Sequence, residues 1–186
     1  TPSAYHPPTI HMCPQVDRTY SSCRFGMCNV WGDSMLDSSR AWLADTCVVG
    51  ECWMQMDLGS VRRVTGVVTQ DRGGGDDWAQ YVTTFTVRAC AADATSMDGQ
   101  ACLQWLDVDG GVSFSGPGTN TPVHAPVEAL FSTFVETQFV RIYPLTWNIY
   151  ISMRAAVLIS YTPPSPPTPP TLPPLPALPL LTEQEG

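Results

Sequence analysis

The stretch WMQMDLGSVRRVTGVVTQ, from Trp53 to Gln70, decides the fold class of this chain. Its first part alternates apolar and polar residues with a period of two, which predicts a strand with one buried face. Gly59-Ser60 predicts a short turn, and the β-branched run from Val61 to Thr69 predicts a second, more deeply buried strand. Two strands with a tight link between them predict a hairpin-like nucleus on which the flanking segments can pair.

The rest of the chain also consists of strand-like segments separated by turns. No stretch keeps a helical period of 3.6 residues over ten positions, so the sequence predicts an all-β protein. Clusters of Gly, Asp and Pro fall between the strand-like segments at the spacing typical of a β-sandwich. We expect three regions: a Pro-rich leader or linker over residues 1–12, a β-sandwich over 13–161 and a Pro-rich tail over 162–186.

Several further motifs occur in an order that indicates a family. They are SSRAW at 38–42, WxQxDLG at 53–59, VTGVVTQ at 64–70, Trp78 after a Gly-rich loop, Trp105, FVRIYP at 139–144, Trp147 and ISMRA at 151–155. Together they resemble the discoidin domain, the coagulation-factor C-type module of the galactose-binding-like fold, over most of the chain. The resemblance implies an antiparallel jelly-roll β-sandwich whose ligand-binding loops gather at one end.

The composition argues against two classes of partner. Of the 186 residues, 44% are hydrophobic and only 14% are charged, and the formal net charge is −8. Binding to a nucleic acid backbone needs a basic face, so we expect no nucleic acid partner. The same acidic balance disfavours membrane lipid, which is the other ligand class that the resemblance to discoidin domains implies.

Seven cysteines without metal-ligand spacing predict disulfides, and therefore a secreted protein in an oxidising compartment. The loops that they flank favour three local pairs, Cys23–Cys28, Cys47–Cys52 and Cys90–Cys102. Exchange of Cys13 with Cys23 or Cys28 is the alternative. Discoidin domains commonly join an early cysteine to one after the last strand, but residues 157–161 contain none. Cys13 is therefore either the orphaned half of that bridge or the partner of a cysteine in another chain.

The titratable residues do not form a catalytic pattern. His6, His11 and His124 all fall in Pro-rich or turn segments, away from any recognised nucleophile motif. Asp76 and Asp77 are adjacent in a loop and would tend to point apart, which does not suit an acid–base pair. We therefore expect a protein that is not an enzyme.

Metal binding has one weak candidate site. Asp33 and Asp37 lie in the oxygen-rich loop WGDSMLDSS, and relatives of the wider fold that bind calcium here complete the shell with a Glu on the final strand. The corresponding strand, RAAVLIS, contains no acidic residue. We therefore expect no cofactor and interpret both aspartates as turn caps, with calcium binding as the alternative.

Ligand binding at the loops is the activity that the resemblance favours. Carried over by position, the binding rim consists of Phe25, Met27, Trp31, Arg72, Asp76, Asp77, Trp147 and Asn148. A carbohydrate site needs an aromatic face for the sugar ring and planar polar groups for its hydroxyls, and this set offers both. In the alternative interpretation, Trp31 and Trp147 only fill the end of the barrel. The other four tryptophans are expected in the core: Trp42, Trp53, Trp78 and Trp105.

The tail TPPSPPTPPTLPPLPALPLLTEQEG has a proline density that predicts polyproline II structure instead of helix or strand. Its composition resembles hydroxyproline-rich glycoproteins. This resemblance implies hydroxylation or O-glycosylation at Pro163, Pro164, Ser165, Pro166, Pro167, Thr168, Pro169 and Pro170. The alternative is an unmodified stiff spacer.

Two functional hypotheses follow from these observations. In the first, the chain is an extracellular recognition module that binds glycans or glycoproteins at the cell surface or matrix, joined to a stiff stalk. In the second, it is a structural subunit of an extracellular glycoprotein polymer, and its rim packs against protein partners in a larger assembly.

Overall fold

The computed structural model describes residues 7–73, 80–91, 94, 96 and 101–160. The predictions for His6, Asp76, Asp77, Trp78 and the Pro-rich tail lie outside these residues. Within them, no helix is long and apolar enough to cross a membrane.

The described chain is an all-β fold, as the sequence predicts, with antiparallel strand pairs and one short α-helical turn, α1, at Cys28–Trp31. The strands are β1 (Thr9–His11), β2 (Arg18–Tyr20), β3 (Trp42–Leu43), β4 (Met54–Gln70), β5 (Tyr81–Cys90), β6 (Trp105–Asp107), β7 (Phe114–Ser115), β8 (Val127–Asn148) and β9 (Ser152–Ile159). Three 3-10 turns lie at Gln15–Asp17, Arg24–Gly26 and Val108–Gly111. The strand order is β1-β9-β4-β8-β5-β6, and β2, β3 and β7 pair with β4, β9 and β5.

Strand β4 corrects the prediction of a hairpin. Met54 to Gln70 is one continuous strand, and both of its halves pair with β8 instead of with each other. Gly59 has a φ of 71° and donates its N–H to the Asp57 carboxylate at 2.8 Å. The register with β8 shifts here, between Asp57 and Arg62, so the glycine bends the strand without reversing it. Because β8 has 22 residues, it is long enough to pair with each half in turn.

The predicted alternation holds in the first half of β4 and disappears in the second half. Met54 and Met56 are fully buried in the main core, whereas the residue between them is half-buried. In the second half Val67 joins the main core, while Val68 packs into a smaller cluster with Leu36. From Gly66 to Gln70 every residue is buried, because both faces of this part of the strand are covered.

Part of the predicted leader, residues 1–12, pairs with the sheet. Strand β1, which lies inside the predicted leader, pairs with the edge of β9, with Thr9 opposite Ile159 and His11 opposite Val157. A strand of three residues that follows two prolines is too short to show a period in the sequence. The leader is therefore partly a structural element of the sandwich.

The cysteines form the three local bridges Cys23–Cys28, Cys47–Cys52 and Cys90–Cys102, with Cα–Cα distances of 5.0, 5.9 and 5.7 Å. Cys13 is free and completely buried, and its thiol donates to Asp57 O at 2.8 Å. Burial raises the pKa of this thiol to about 11. The position contradicts the alternative that Cys13 pairs with a cysteine of another chain, because the sulfur has no route to a partner while the domain is folded.

The tryptophans are divided between the core and the surface. Trp42 is completely buried, and its Nε1–H donates to Ser22 O at 2.8 Å. Trp53 and Trp105 are only partly buried and lie outside the main core, although Trp105 packs against a small buried cluster that contains Phe139. Each of the two rings packs against the guanidinium of Arg141. A cation that covers an aromatic ring can stabilise it at the surface.

Candidate functional site

A tight loop closed by the Cys23–Cys28 bridge presents Phe25 to solvent. Phe25 and Gly26 have positive φ values of 56° and 69°, so the chain turns sharply and leaves the Phe25 side chain 67% exposed. A left-handed backbone is unfavourable for phenylalanine, and exposure of its ring does not stabilise the fold. Both features are typical of a loop kept for binding.

Arg24 connects this loop to the turn between β8 and β9. Its guanidinium carbon lies 5.0 Å from the ring centre of Phe25 and 4.9 Å from that of Tyr150. The residue before Tyr150, Ile149, has a φ of 62° and is also exposed. The two loops therefore meet in a cation–π cluster on the protein surface.

A cavity of about 340 Å³, here called the rim cavity, lies beside this cluster. It is lined by Arg24 and Phe25 from the first loop, by Ala44, Asp45, Thr46 and Cys47 from the loop after β3, and by Trp147, Tyr150 and Ile151 from the turn before β9. The Cys47–Cys52 bridge and a 3.1 Å bond from Ala44 N–H to Ile151 O hold the middle loop in place. The volume lies at the lower end of the range for small-ligand sites, about 300–1,000 Å³.

The lining of the rim cavity combines several kinds of interaction. Arg24 supplies hydrogen-bond donors only, the Asp45 carboxylate supplies acceptors, and the Thr46 hydroxyl can do both. The rings of Phe25 and Trp147 supply apolar faces. At such a site, a ring that carries several hydroxyl groups can form hydrogen bonds through its hydroxyls and pack its apolar face against an aromatic side chain.

Arg72 adds a second cation at the same end of the domain. Its guanidinium carbon lies 5.5 Å from the Trp31 ring centre, and its Nη1 donates to Gln80 Oε1 at 2.8 Å. Burial, and then the neighbouring charge of Arg24, lowers the pKa of Arg72. The contact of Arg72 with Trp31 brings the loop after β4 against the segment that contains α1.

A partly buried polar network fixes the base of these loops. The amide Nε2 of Gln70 donates to Asp37 Oδ1 at 2.8 Å and to His124 O at 2.9 Å. The Asp71 carboxylate accepts a 3.3 Å bond from the buried Arg154 and lies 2.8 Å from His124 Nδ1. Because these residues come from different loops, the network ties the loops to the end of β4 and to β9.

The structure brings together part of the predicted rim. Phe25 and Trp147 line the cavity. Met27 directly precedes α1, and Trp31 is the last residue of α1, which follows the loop that contains Phe25. Neither residue lines the cavity, and neither does Asn148, which follows Trp147.

Sequence reasoning missed seven of the nine lining residues, among them four whose polar or aromatic side chains could contact a ligand: Arg24, Asp45, Thr46 and Tyr150. Arg24 and Tyr150 are close in sequence to the predicted aromatic residues Phe25 and Trp147, so a wider window around those residues would have included them. Asp45 and Thr46 carried no comparable signal, because only the folded loop after β3 brings them to the rim.

The described residues add no further ligand to the candidate calcium site at Asp33 and Asp37. Among them, no group of three or more His, Cys, Asp or Glu residues could hold a metal ion. Asp37 has a φ of 61°, and both its N–H and its carboxylate bond to the Gln70 side chain. This geometry agrees with a turn residue.

Comparison with known proteins gives a family match and similar sequences. A family model described as F5/8 type C domain matches residues 28–157. Lactadherin of Bos taurus is 35% identical over 121 residues, which cover 64% of this chain and 26% of lactadherin. Neuropilin-1 of Homo sapiens is 36% identical over 109 residues, which cover 56% of this chain and 10% of that protein. The chain thus spans about a quarter of the length of the lactadherins that it matches.

Solved structures with low sequence identity share the fold. Recombinant discoidin II of Dictyostelium discoideum has a TM-score of 0.56 at 17% identity, over 83% of this chain and 60% of that one. An F5/8 type C domain from Bacteroides fragilis has a TM-score of 0.59 at 12% identity, over 83% of this chain and 97% of that one.

Proposed function

This chain belongs to the F5/8 type C domain family, and from this premise we propose that it is a non-enzymatic extracellular module that binds glycans or glycoproteins through the rim cavity. The observation that carries the proposal is the cluster of Arg24, Phe25 and Tyr150 at the wall of a cavity that also contains Asp45. Three disulfides support an extracellular location.

The polar groups of the rim cavity favour a sugar over a phospholipid headgroup. Sugar hydroxyls both donate and accept hydrogen bonds, and Asp45 and Arg24 provide the complementary acceptor and donor partners. The phosphate of a phospholipid headgroup only accepts hydrogen bonds and carries a negative charge, so the Asp45 carboxylate in the lining would oppose its binding. The size of the cavity suits a single sugar ring or a short oligosaccharide.

A glycan array that includes arabinosylated and galactosylated hydroxyproline peptides tests this proposal with the full chain. We expect binding to a defined glycan set, and we expect Phe25→Ala to weaken it about tenfold, since loss of a stacked ring removes about 1 kcal/mol or more. The matched control is Phe134→Ala, because Phe134 is also exposed and also carries an arginine, Arg63, at 4.1 Å from its ring centre. Absence of binding by folded wild-type chain, or an equal loss in Phe134→Ala, would contradict the proposal.

One observation favours the second candidate function, that of a structural subunit in an extracellular polymer. Phe25, Ile149 and Tyr150 expose apolar surface on adjacent loops, and contiguous exposed apolar surface also suits contact with another protein. Sedimentation velocity over a range of concentrations distinguishes the two functions. Self-association that Ile149→Asp abolishes would support the polymer role, whereas a monomer at every concentration would leave the glycan-binding role.

A further inference from the structure

A second surface, away from the rim cavity, is built from two tryptophans and an arginine. The guanidinium carbon of Arg141 lies 3.8 Å from the ring centre of Trp53 and 4.1 Å from that of Trp105. Arg141 alternates along β8 with the buried Val140 and Ile142, so its side chain projects from the side of the sheet that faces away from the main core. We call Trp53, Arg141 and Trp105 the tryptophan–arginine ladder.

Neighbouring strands continue this surface with more hydrogen-bond donors. Arg141 Nε donates to Gln55 Oε1 at 2.9 Å, and Arg88, which is opposite Arg141 on β5, lies 4.6 Å from the Tyr143 ring centre. Arg88 also forms a 2.7 Å ion pair with Asp107. Guanidinium groups therefore pack against aromatic rings across this surface, and the Tyr143 ring is buried beneath Arg88.

The two indole N–H groups of the ladder are not used by the described part of the fold. Trp42 donates its Nε1–H inside the core, whereas no described residue accepts a hydrogen bond from Nε1 of Trp53 or Trp105. An indole N–H and a guanidinium can donate but cannot accept. The ladder thus suits a ligand that is rich in acceptors, poor in donors, and able to pack apolar rings against aromatic side chains.

A proline-rich chain in the polyproline II conformation has this chemistry. Proline lacks an N–H, and the carbonyls of a polyproline II helix have no internal hydrogen bonds, so the backbone offers acceptors almost exclusively. Aromatic-lined surfaces are the usual docking sites for such segments. The indole rings of Trp53 and Trp105 both pack on one guanidinium, so they lie within about one turn of a polyproline II helix, roughly 9 Å.

This chain itself contains a proline-rich segment. Residues 162–180 follow shortly after β9, and the region from 162 onward holds ten of the 18 prolines of the chain. The last described residue, Ser160, is held by a 2.9 Å bond from its N–H to Arg63 O. At about 3.1 Å per residue the segment spans roughly 60 Å, which exceeds the diameter of a domain of this size and therefore reaches the ladder.

We propose that the tryptophan–arginine ladder is a docking site for the chain's own Pro-rich segment, residues 162–180, bound as a polyproline II helix. Tethering gives the segment an effective concentration on the order of millimolar, so that a contact that is weak between separate molecules is populated within one chain. The docked segment accepts hydrogen bonds from the two indole N–H groups and covers rings that are otherwise left half-exposed.

The indole N–H signals of the full ¹⁵N-labelled chain test this docking by NMR. We compare the wild type with a variant in which Pro163→Ser and the corresponding changes at the other nine tail prolines remove the polyproline II preference. We expect the signals of Trp53 and Trp105 to move between the two proteins, and that of Trp42, bonded to Ser22 O in the core, to stay. Unchanged signals for Trp53 and Trp105 would overturn the proposal.

Two further measurements complete the test. A synthetic peptide of residues 162–180, added at millimolar concentration to the proline-to-serine variant, is expected to restore the wild-type positions. Arg141→Met should remove the response to the peptide, whereas Arg63→Met, which breaks the separate stack on Phe134, should retain it. Wild-type signals that shift on dilution would place the tail of a second copy on the ladder and would overturn docking within one chain.

Discussion

At the scale of single residues, Arg18 is a buried cation that is stabilised by backbone carbonyls. It forms no ion pair with any residue that the structure describes. Arg18 is 5% exposed, and its guanidinium donates to Cys13 O, Ser34 O and Ala155 O at 2.9–3.0 Å. Burial lowers the pKa of Arg18, and the carbonyl dipoles replace the water that the guanidinium loses. The residue thereby fastens the N-terminal segment to β9.

Arg18→Lys is expected to destabilise the protein strongly although it conserves the charge. The planar guanidinium donates to three backbone carbonyls that lie in different directions, and a lysine ammonium cannot reach all three. Buried carbonyl oxygens would therefore be left without a hydrogen-bond donor. We expect the free energy of unfolding to fall by about 2–4 kcal/mol, measured by urea denaturation. The exposed control, Arg62→Lys, should change it by less than about 0.5 kcal/mol, and similar losses in both variants would refute this role of Arg18.

At the scale of elements, β1 contains a titratable residue whose protonation opposes pairing with β9. His11 is opposite Val157, and burial, followed by the charges of Arg62 and Arg18, lowers its pKa from 6.5. The unfolded chain therefore binds a proton at His11 more readily than the folded chain, so stability falls as the pH drops below about 6.5. The loss ends once the pH is below the folded pKa.

The comparison of wild type with His11→Gln isolates this contribution. Urea midpoints measured from about pH 7.5 to about pH 5 should show wild type losing more stability than the variant, because glutamine does not titrate. The protection factors of the β1–β9 amides, which correct exchange rates for the slower intrinsic exchange at lower pH, should fall over the same pH range in wild type more than in the variant. A constant difference between the two proteins at all pH values would mean that His11 does not limit the attachment of β1.

The long strand β4 shows where element prediction succeeded and where it was wrong. The alternation of apolar residues determines which side chains are buried, and this part of the prediction is confirmed by Met54 and Met56. The hairpin was wrong because Gly59 permits both a reversal and a bend, and local sequence does not distinguish them. The choice depends on β8, whose length gives both halves of β4 a partner that is distant in the chain.

At the scale of the whole molecule, three short-range disulfides stabilise the loops of a small sandwich. The bridges span sequence separations of 5, 5 and 12 residues. In the chain-entropy model, a bridge stabilises more when it closes a longer loop. We expect the double variant Cys90→Ala/Cys102→Ala to lose about 3 kcal/mol of unfolding free energy, and Cys47→Ala/Cys52→Ala about 2 kcal/mol. Thermal unfolding of the two variants shows which of them loses more stability. A larger loss for the variant without the Cys47–Cys52 bridge would show that loop entropy does not determine the size of the loss.

Only part of the candidate site could be predicted from the sequence, because several of its residues come together only when the whole domain folds. Phe25 and Trp147, which line the cavity, were assigned to the rim by their positions in the resemblance to discoidin domains. Asp45 and Thr46 were missed because a polar residue in a loop has no distinguishing pattern until a cavity forms next to it. Trp53 and Trp105 were assigned to the core because a tryptophan is usually buried, and only pairing of β4, β8, β5 and β6 places Arg141 against both rings.

The sequence alone determined the all-β class and the apolar face of β4 and favoured the local cysteine pairs, because each depends on residues that are close together in the chain. The tertiary structure alone decided that β4 continues through Gly59, that Cys13 is buried, and that Arg24 meets Tyr150 at a cavity. These features depend on contacts between residues far apart in sequence. Such contacts are selected by the packing of the complete domain, so no local pattern encodes them.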